Sequence, residues 1–139
     1  MQEKSIIQYF KEVVTENYAN FSGRARRREY WSFQLVSTIA SLILSTLDYA
    51  LFNTGFGDTG IIGSIFSLAI LVPSLAVFVR RLHDVGKSGW YILLMLLPII
   101  GWIWLLVLLF TDGDQGTNEY GPNPKNPDFE EELDQIGTE

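Results

Sequence analysis

WSFQLVSTIASLILSTLDYALF, residues 31–52, carries a single charged side chain, Asp48, and its reading decides the fold class. As a helix rising about 1.5 Å per residue it is roughly 33 Å long, against about 30 Å for the hydrocarbon core of a bilayer. Two further runs have the same character: IIGSIFSLAILVPSLAVFV at 61–79 and WYILLMLLPIIGWIWLLVLLF at 90–110. The chain as a whole is 47% hydrophobic, which would suit a soluble domain. Segregation, not the average, identifies a membrane protein, because the remaining charges lie at the ends and in the loops. The first run begins too late, and is too long, for a cleaved signal peptide.

The expected fold is all-α, an integral membrane protein with three transmembrane helices. Residues 31–110 form the membrane domain, with spans 31–52, 61–79 and 90–110. Residues 1–30 form a cytoplasmic amphipathic and Arg-rich segment. Within it Ile6, Phe10, Val13, Val14 and Tyr18 recur at helical spacing over 5–18. That helix has two resting places: the headgroup plane, or the protein's own cytoplasmic loops. Ser22 is a plausible N-cap for the first span. Residues 111–139 form an acidic tail rich in Gly, Pro and Asn, expected to be extended or disordered, above all beyond Asn126.

Loop charge sets orientation. Residues 1–30 hold Lys4, Lys11, Arg24, Arg26, Arg27 and Arg28, and the 80–89 loop holds Arg80, Arg81 and Lys87. Residues 53–60 hold neither Lys nor Arg. Positive loops stay cytoplasmic, so the N-terminus and loop 80–89 are expected inside and 53–60 outside, with Tyr30 and Trp31 at the interface. The third span is interrupted by Pro98 and Gly101. It either crosses with a kink or folds back as a re-entrant hairpin whose arms are each roughly 13 Å long. The kinked crossing is the favoured expectation, because two other helices offer little cover for a hairpin's open backbone groups.

Composition excludes several chemistries. There is no cysteine, hence no disulfide, thiolate metal site or cysteine nucleophile. The one histidine, His83, rules out a multi-histidine metal site within one chain. No basic, aromatic-interleaved soluble face points to nucleic acid. No cofactor is implied.

The candidate residues form two groups. Arg24, Arg26, Arg27, Arg28, Arg80, Arg81 and Lys87 set topology, pair with carboxylates, or bind anionic lipid or another phosphate-bearing ligand. Glu29 begins the first span and Arg80/Arg81 end the second, so antiparallel packing would bring them together in an Arg–carboxylate fork; Asp84 can pair with the 24–28 arginines in the same way. His83 beside Asp84 lacks a nucleophile and reads better as a loop histidine bonding backbone or Glu29 than as a catalytic base. The second group is intramembrane. Asp48 is an interfacial structural residue or a proton or cation site. Ser37, Ser41 and Ser45, with Gly60, Ser64, Ser67 and Ser74, allow close helix packing within the chain or across a homo-oligomer seam.

Four motifs carry a resemblance: FSGRARRREYW at 21–31, RRLHDVGKSGW at 80–90, PIIGW at 98–102 and GTNEYGPNP at 116–124. Together, over about residues 5–125, they resemble the "domain of unknown function 805" family of small bacterial inner-membrane proteins. The resemblance implies a plasma-membrane location and a few helices, and supplies no activity. The expected function is a non-catalytic inner-membrane protein whose Arg-rich cytoplasmic face engages anionic lipid or a membrane-protein partner. The alternative is an oligomeric transporter or channel built around Asp48 and the serine faces.

Overall fold

The computed structural model describes residues 4–55, 58 and 60–137. It contains α1 (Ile6–Val14), α2 (Arg27–Phe52), α3 (Ile61–Asp84), a 3-10 helix (Gly89–Leu96), α4 (Ile100–Phe110) and α5 (Phe129–Gly137). Among the described residues the only β pairing is an isolated bridge between Asn118 and Gly121.

α2 and α3 form an antiparallel pair, with Glu29 meeting Arg80 at one end and Asp48 meeting Gly63 at the other. The first may be called the basic end. At 26 and 24 residues, these helices are about 39 and 36 Å long. Only 11% and 22% of their most apolar 18-residue stretches are buried. Leu42, Ile43, Leu51, Ile65 and Leu68 stand exposed. Such a surface is unfavourable in water and suited to lipid. Both helices begin or end beyond the apolar runs, since helical hydrogen bonding continues through the polar motifs.

α1 is shorter than the expected 5–18. Ser5 caps it in a reciprocal box, its hydroxyl accepting from Gln8 N–H while the Gln8 side chain accepts from Ser5 N–H. Its buried face packs against the protein itself, on α2, α3 and the loop residue Ala25. It packs along the basic half of α2 and α3: Val13 joins Ala25, Tyr30, Phe33, Val77 and Leu109 in the buried core, and Phe10 stacks on Phe33 at 5.6 Å. Ser22 is not the cap of α2; that position is Arg26, and Ser22 N–H instead closes a turn on the Asn20 side chain.

Pro73 sits buried inside α3. Proline lacks the N–H that would bond the carbonyl four residues back, here Ala69. The Tyr18 hydroxyl donates to that carbonyl at 2.6 Å. A residue beyond α1 thus satisfies the polar group that the proline leaves without its helical partner.

The 90–110 run corrects the expectation of one kinked crossing. It folds back on itself. The 3-10 helix has eight residues, about 16 Å at 2.0 Å rise, and α4 has eleven, about 16 Å; each reaches roughly half the hydrocarbon thickness. The turn is made by Pro98 and Ile99. Ile99 has φ +67° and ψ −66°, and Ile100 N–H bonds the Pro98 carbonyl at 2.8 Å, a tight γ-turn that strains a β-branched residue. Gly101 lets the arms touch: a Cβ there would lie 1.8 Å from the Leu94 carbonyl oxygen. Trp102 Nε1 donates to the Met95 carbonyl at 2.9 Å across the turn. Cover comes from three helices: Leu82 of α3 joins Leu105 and Leu108 of α4 in a second core, and Leu109 of α4 joins Val13 of α1 and Phe33 of α2 in the first.

The tail also departs from expectation. Residues 112–125 are fastened to the basic end, as described below, and Phe129–Gly137 is helical.

Candidate functional site

The basic end is a buried polar knot. Asp84, 2% exposed, is its centre. One carboxylate oxygen accepts from Arg24 Nε at 2.9 Å and the other from Arg81 Nη1 at 2.5 Å. Its main-chain oxygen accepts from Arg24 Nη2 at 3.3 Å and from Asp114 N–H at 2.8 Å. Arg24 also donates to the carbonyls of Asp114, Gly116 and Gly121 at 2.5, 2.8 and 3.2 Å. One guanidinium therefore draws together the start of α2, the end of α3 and the tail. A delocalised planar cation with five donors suits that task better than lysine.

Arg81 turns to α4. Its Nε donates to the Leu109 carbonyl at 3.2 Å and its Nη2 to the Thr111 carbonyl. Trp31 Nε1 reaches Leu109 O at 3.2 Å, and Arg27 Nη1 reaches Phe110 O at 3.0 Å. The last carbonyls of a helix have no partners within it, and cations there oppose the negative dipole end. Side chains of α2 and α3 thus cap α4 and fix where the hairpin returns.

Arg80 donates from Nη1 to Glu29 at 2.7 Å and from Nε to the Asn20 carbonyl at 3.1 Å, and its own carbonyl accepts from Ala25 N–H at 3.0 Å. His83 lies on α3, not in a loop. Its Nδ1 is 3.0 Å from the Gly23 carbonyl, its ring stacks on Tyr120 at 3.8 Å, and its main-chain oxygen accepts from Asn118 at 2.9 Å. It is a packed, backbone-bonded residue.

The structure therefore brings Arg24, Glu29, Arg80, Arg81, His83 and Asp84 together in the knot. Arg24, Arg80 and Arg81 are buried and paired with carboxylates, the ion-pair alternative among the roles expected for the arginines. Arg27 and Arg28 are exposed at the start of α2 and Arg26 is half-buried. Lys87 stands apart, 5.7 Å over the Tyr91 ring. In the tail, partial burial pushes Asp112 up, but Lys125 and Arg27 together outweigh it and hold its carboxyl below the ordinary value. Sequence reading missed Asn118, Tyr120 and the loop carbonyls as parts of this cluster; GTNEYGPNP was the available signal.

Asp48 is fully buried at the far end. Its oxygens accept from Ile62 N–H at 3.0 Å and Gly63 N–H at 2.8 Å, so it caps α3 from a neighbouring helix. Thr46, on the same helix, donates to the Leu42 carbonyl at 2.9 Å. Gly60 is needed for the approach, because a Cβ there would lie 2.5 Å from Asp48 Cγ. Ser64 and Ser67 are exposed, while Ser37 is buried. Among the described residues no three His, Cys, Asp or Glu side chains are grouped to hold a metal.

Comparison with known proteins finds relatives over most of the chain. The chain is 44% identical over 112 residues to the inner membrane protein YhaH of Escherichia coli K12, covering 81% of this chain and 93% of that protein. It is 43% identical to the inner membrane protein YhaI of the same organism, covering 81% and 92%. The uncharacterised protein YiiR is 30% identical, covering 77% and 87%. No solved structure matches significantly. These relatives and two helices long and apolar enough to cross a bilayer identify a membrane protein. With a family match spanning residues 18–122, the chain belongs to the proteins of unknown function designated DUF805.

Proposed function

We propose that the protein is a small non-catalytic membrane module that holds anionic lipid at the rim of its basic end. In this reading α2 and α3 cross the bilayer, and the 90–110 hairpin dips in from the cytoplasmic side without crossing. Both termini are then cytoplasmic. The gathering of arginines at one end of the helix pair supports that orientation.

The observation that carries the lipid reading is a groove of about 240 Å³ at the start of α2, lined by Ile6, Arg28, Trp31, Ser32 and Leu35. A guanidinium beside an apolar wall matches an anionic headgroup with its acyl chain. Each basic residue near an anionic leaflet adds about 1 kcal/mol of attraction, and Arg27 lies next to Arg28. Asp48 supports a module over a conduit, since both its oxygens are engaged by backbone N–H groups.

Native mass spectrometry of protein extracted from mixed phosphatidylglycerol and phosphatidylcholine membranes tests this. Phosphatidylglycerol adducts should dominate and should fall several-fold in Arg28→Gln. Equal retention of the two lipids, or undiminished adducts in the variant, rejects the proposal.

A further inference from the structure

We infer that α5 is a docking helix for a different protein, one that presents an apolar groove edged by Lys and Arg side chains. The inference goes beyond the lipid reading and does not rest on it.

α5 stands apart from the packed body, since it belongs to neither buried core. Phe129, Leu133 and Ile136 recur at i, i+4 and i+7, the spacing by which a helix anchors in a partner's groove. Leu133 and Ile136 are 47% and 71% exposed. Glu131, Glu132 and Asp134 are exposed too, and none of them meets a cation among the described residues. A helix of nine residues is marginal alone in water, so a partner covering its apolar side also stabilises its helical form.

Charge decides what that partner is. An anionic leaflet attracts basic segments and repels an acidic helix. The chain's own cations are already committed. Arg24, Arg80 and Arg81 are buried against Asp84 and Glu29. Arg27 and Lys125 share Asp112, Lys4 holds Glu12, and neither Arg26 nor Arg28 is without a partner. Lys11 and Lys87 stand singly, on α1 and in the loop after α3. A second copy carries the same pairs, so it offers α5 no basic groove. The opposite charge comes from another protein.

The tail also sets where that protein sits. Lys125 Nζ lies 3.5 Å from Asp112 Oδ2, which holds the tail beside the end of α4. Residues 126–128, about 10 Å at full stretch, then lead to α5. The helix is presented on a short leash at the basic end.

The test places photoreactive benzoylphenylalanine at Leu133 or Ile136 of the full chain in its native cells, with Glu119 as the control position. Irradiation should give one discrete adduct from the helix positions and none from the control. Mass spectrometry of the adduct should identify a partner peptide whose apolar residues are flanked by Lys or Arg. Combining Glu131→Lys, Glu132→Lys and Asp134→Lys should cut the adduct about fivefold or more, because like charges then face each other. Limited proteolysis of residues 112–122 checks that variant's fold. Glu131→Gln with Glu132→Gln, which removes charge without reversing it, should act in the same direction. A synthetic copy of the partner peptide should bind the full chain in phosphatidylcholine nanodiscs, more weakly as ionic strength rises. Adducts only to lipid or to a second copy overturn the inference, as does the absence of a discrete adduct. A partner peptide without cations, or an adduct undiminished in both charge variants, overturns it as well.

Discussion

Replacing Asp84 by Asn should cost the protein much of its stability and release its tail. The side chains of Arg24 and Arg81 are 1% and 0% exposed, and their nitrogens sit 2.9 and 2.5 Å from the two Asp84 oxygens. Each such charge-assisted bond contributes about 1.5–3 kcal/mol. Asparagine offers one acceptor, uncharged, and turns a donor toward the second arginine. Two charged bonds are lost and about 1 kcal/mol is regained from one neutral bond, a net loss of about 2–5 kcal/mol. That agrees with about 3–5 kcal/mol for stranding a buried charge, and total stabilities are about 5–15 kcal/mol. The change should appear in denaturant titration in mild detergent. Limited proteolysis should cut residues 112–122 sooner, because Arg24 also binds the carbonyls of that loop. Combined with Arg24→Gln, the cycle should show a coupling above about 1 kcal/mol. A variant within about 0.5 kcal/mol of the native protein, the level of ordinary surface changes, with its loop still protected, would refute the view that Asp84 organises the basic end.

Further outcomes follow from other contacts. Tyr18→Phe should cost about 0.5–1.5 kcal/mol, and less in a Pro73→Ala background, where alanine can bond the Ala69 carbonyl itself; strict additivity would remove Tyr18 from that role. Asp48→Ala should cost about 1–2 kcal/mol, as lost caps do, and Asp48→Asn less; equal losses would show that capping is not its task. The chain has no native cysteine, so single cysteines at Ser5 and Thr117 report sidedness directly. Both should react with a membrane-impermeant thiol reagent only in inverted vesicles, and labelling of Thr117→Cys from outside intact spheroplasts would restore the kinked crossing.

The two long helices were legible because apolar length is a local property, and Glu29 with Arg80 was legible because antiparallel helices bring their ends together. The hairpin was harder. A run of 21 apolar residues has the same composition whether it crosses or doubles back. What distinguishes the two here is the tightness of Pro98–Gly101 and the arginine donors that meet the α4 carbonyls from 28 to 83 residues away. The knot was half visible for the same reason. Paired charges announce themselves, but Arg24 works largely through main-chain carbonyls of a loop more than 90 residues distant, and carbonyls carry no side-chain signature. The tail seemed disordered by composition because its first part is ordered by hydrogen bonds to buried guanidiniums, without an apolar core of its own.

In the orientation proposed above, the half-depth hairpin would make the molecule a wedge. Among the described residues, α1, α2, α3 and both hairpin arms gather in the basic half, whereas α2 and α3 alone extend through the far half. Such a taper would leave a broader lipid annulus around the narrow half, and a flat bilayer would accommodate it by bending or by recruiting lipids of complementary taper.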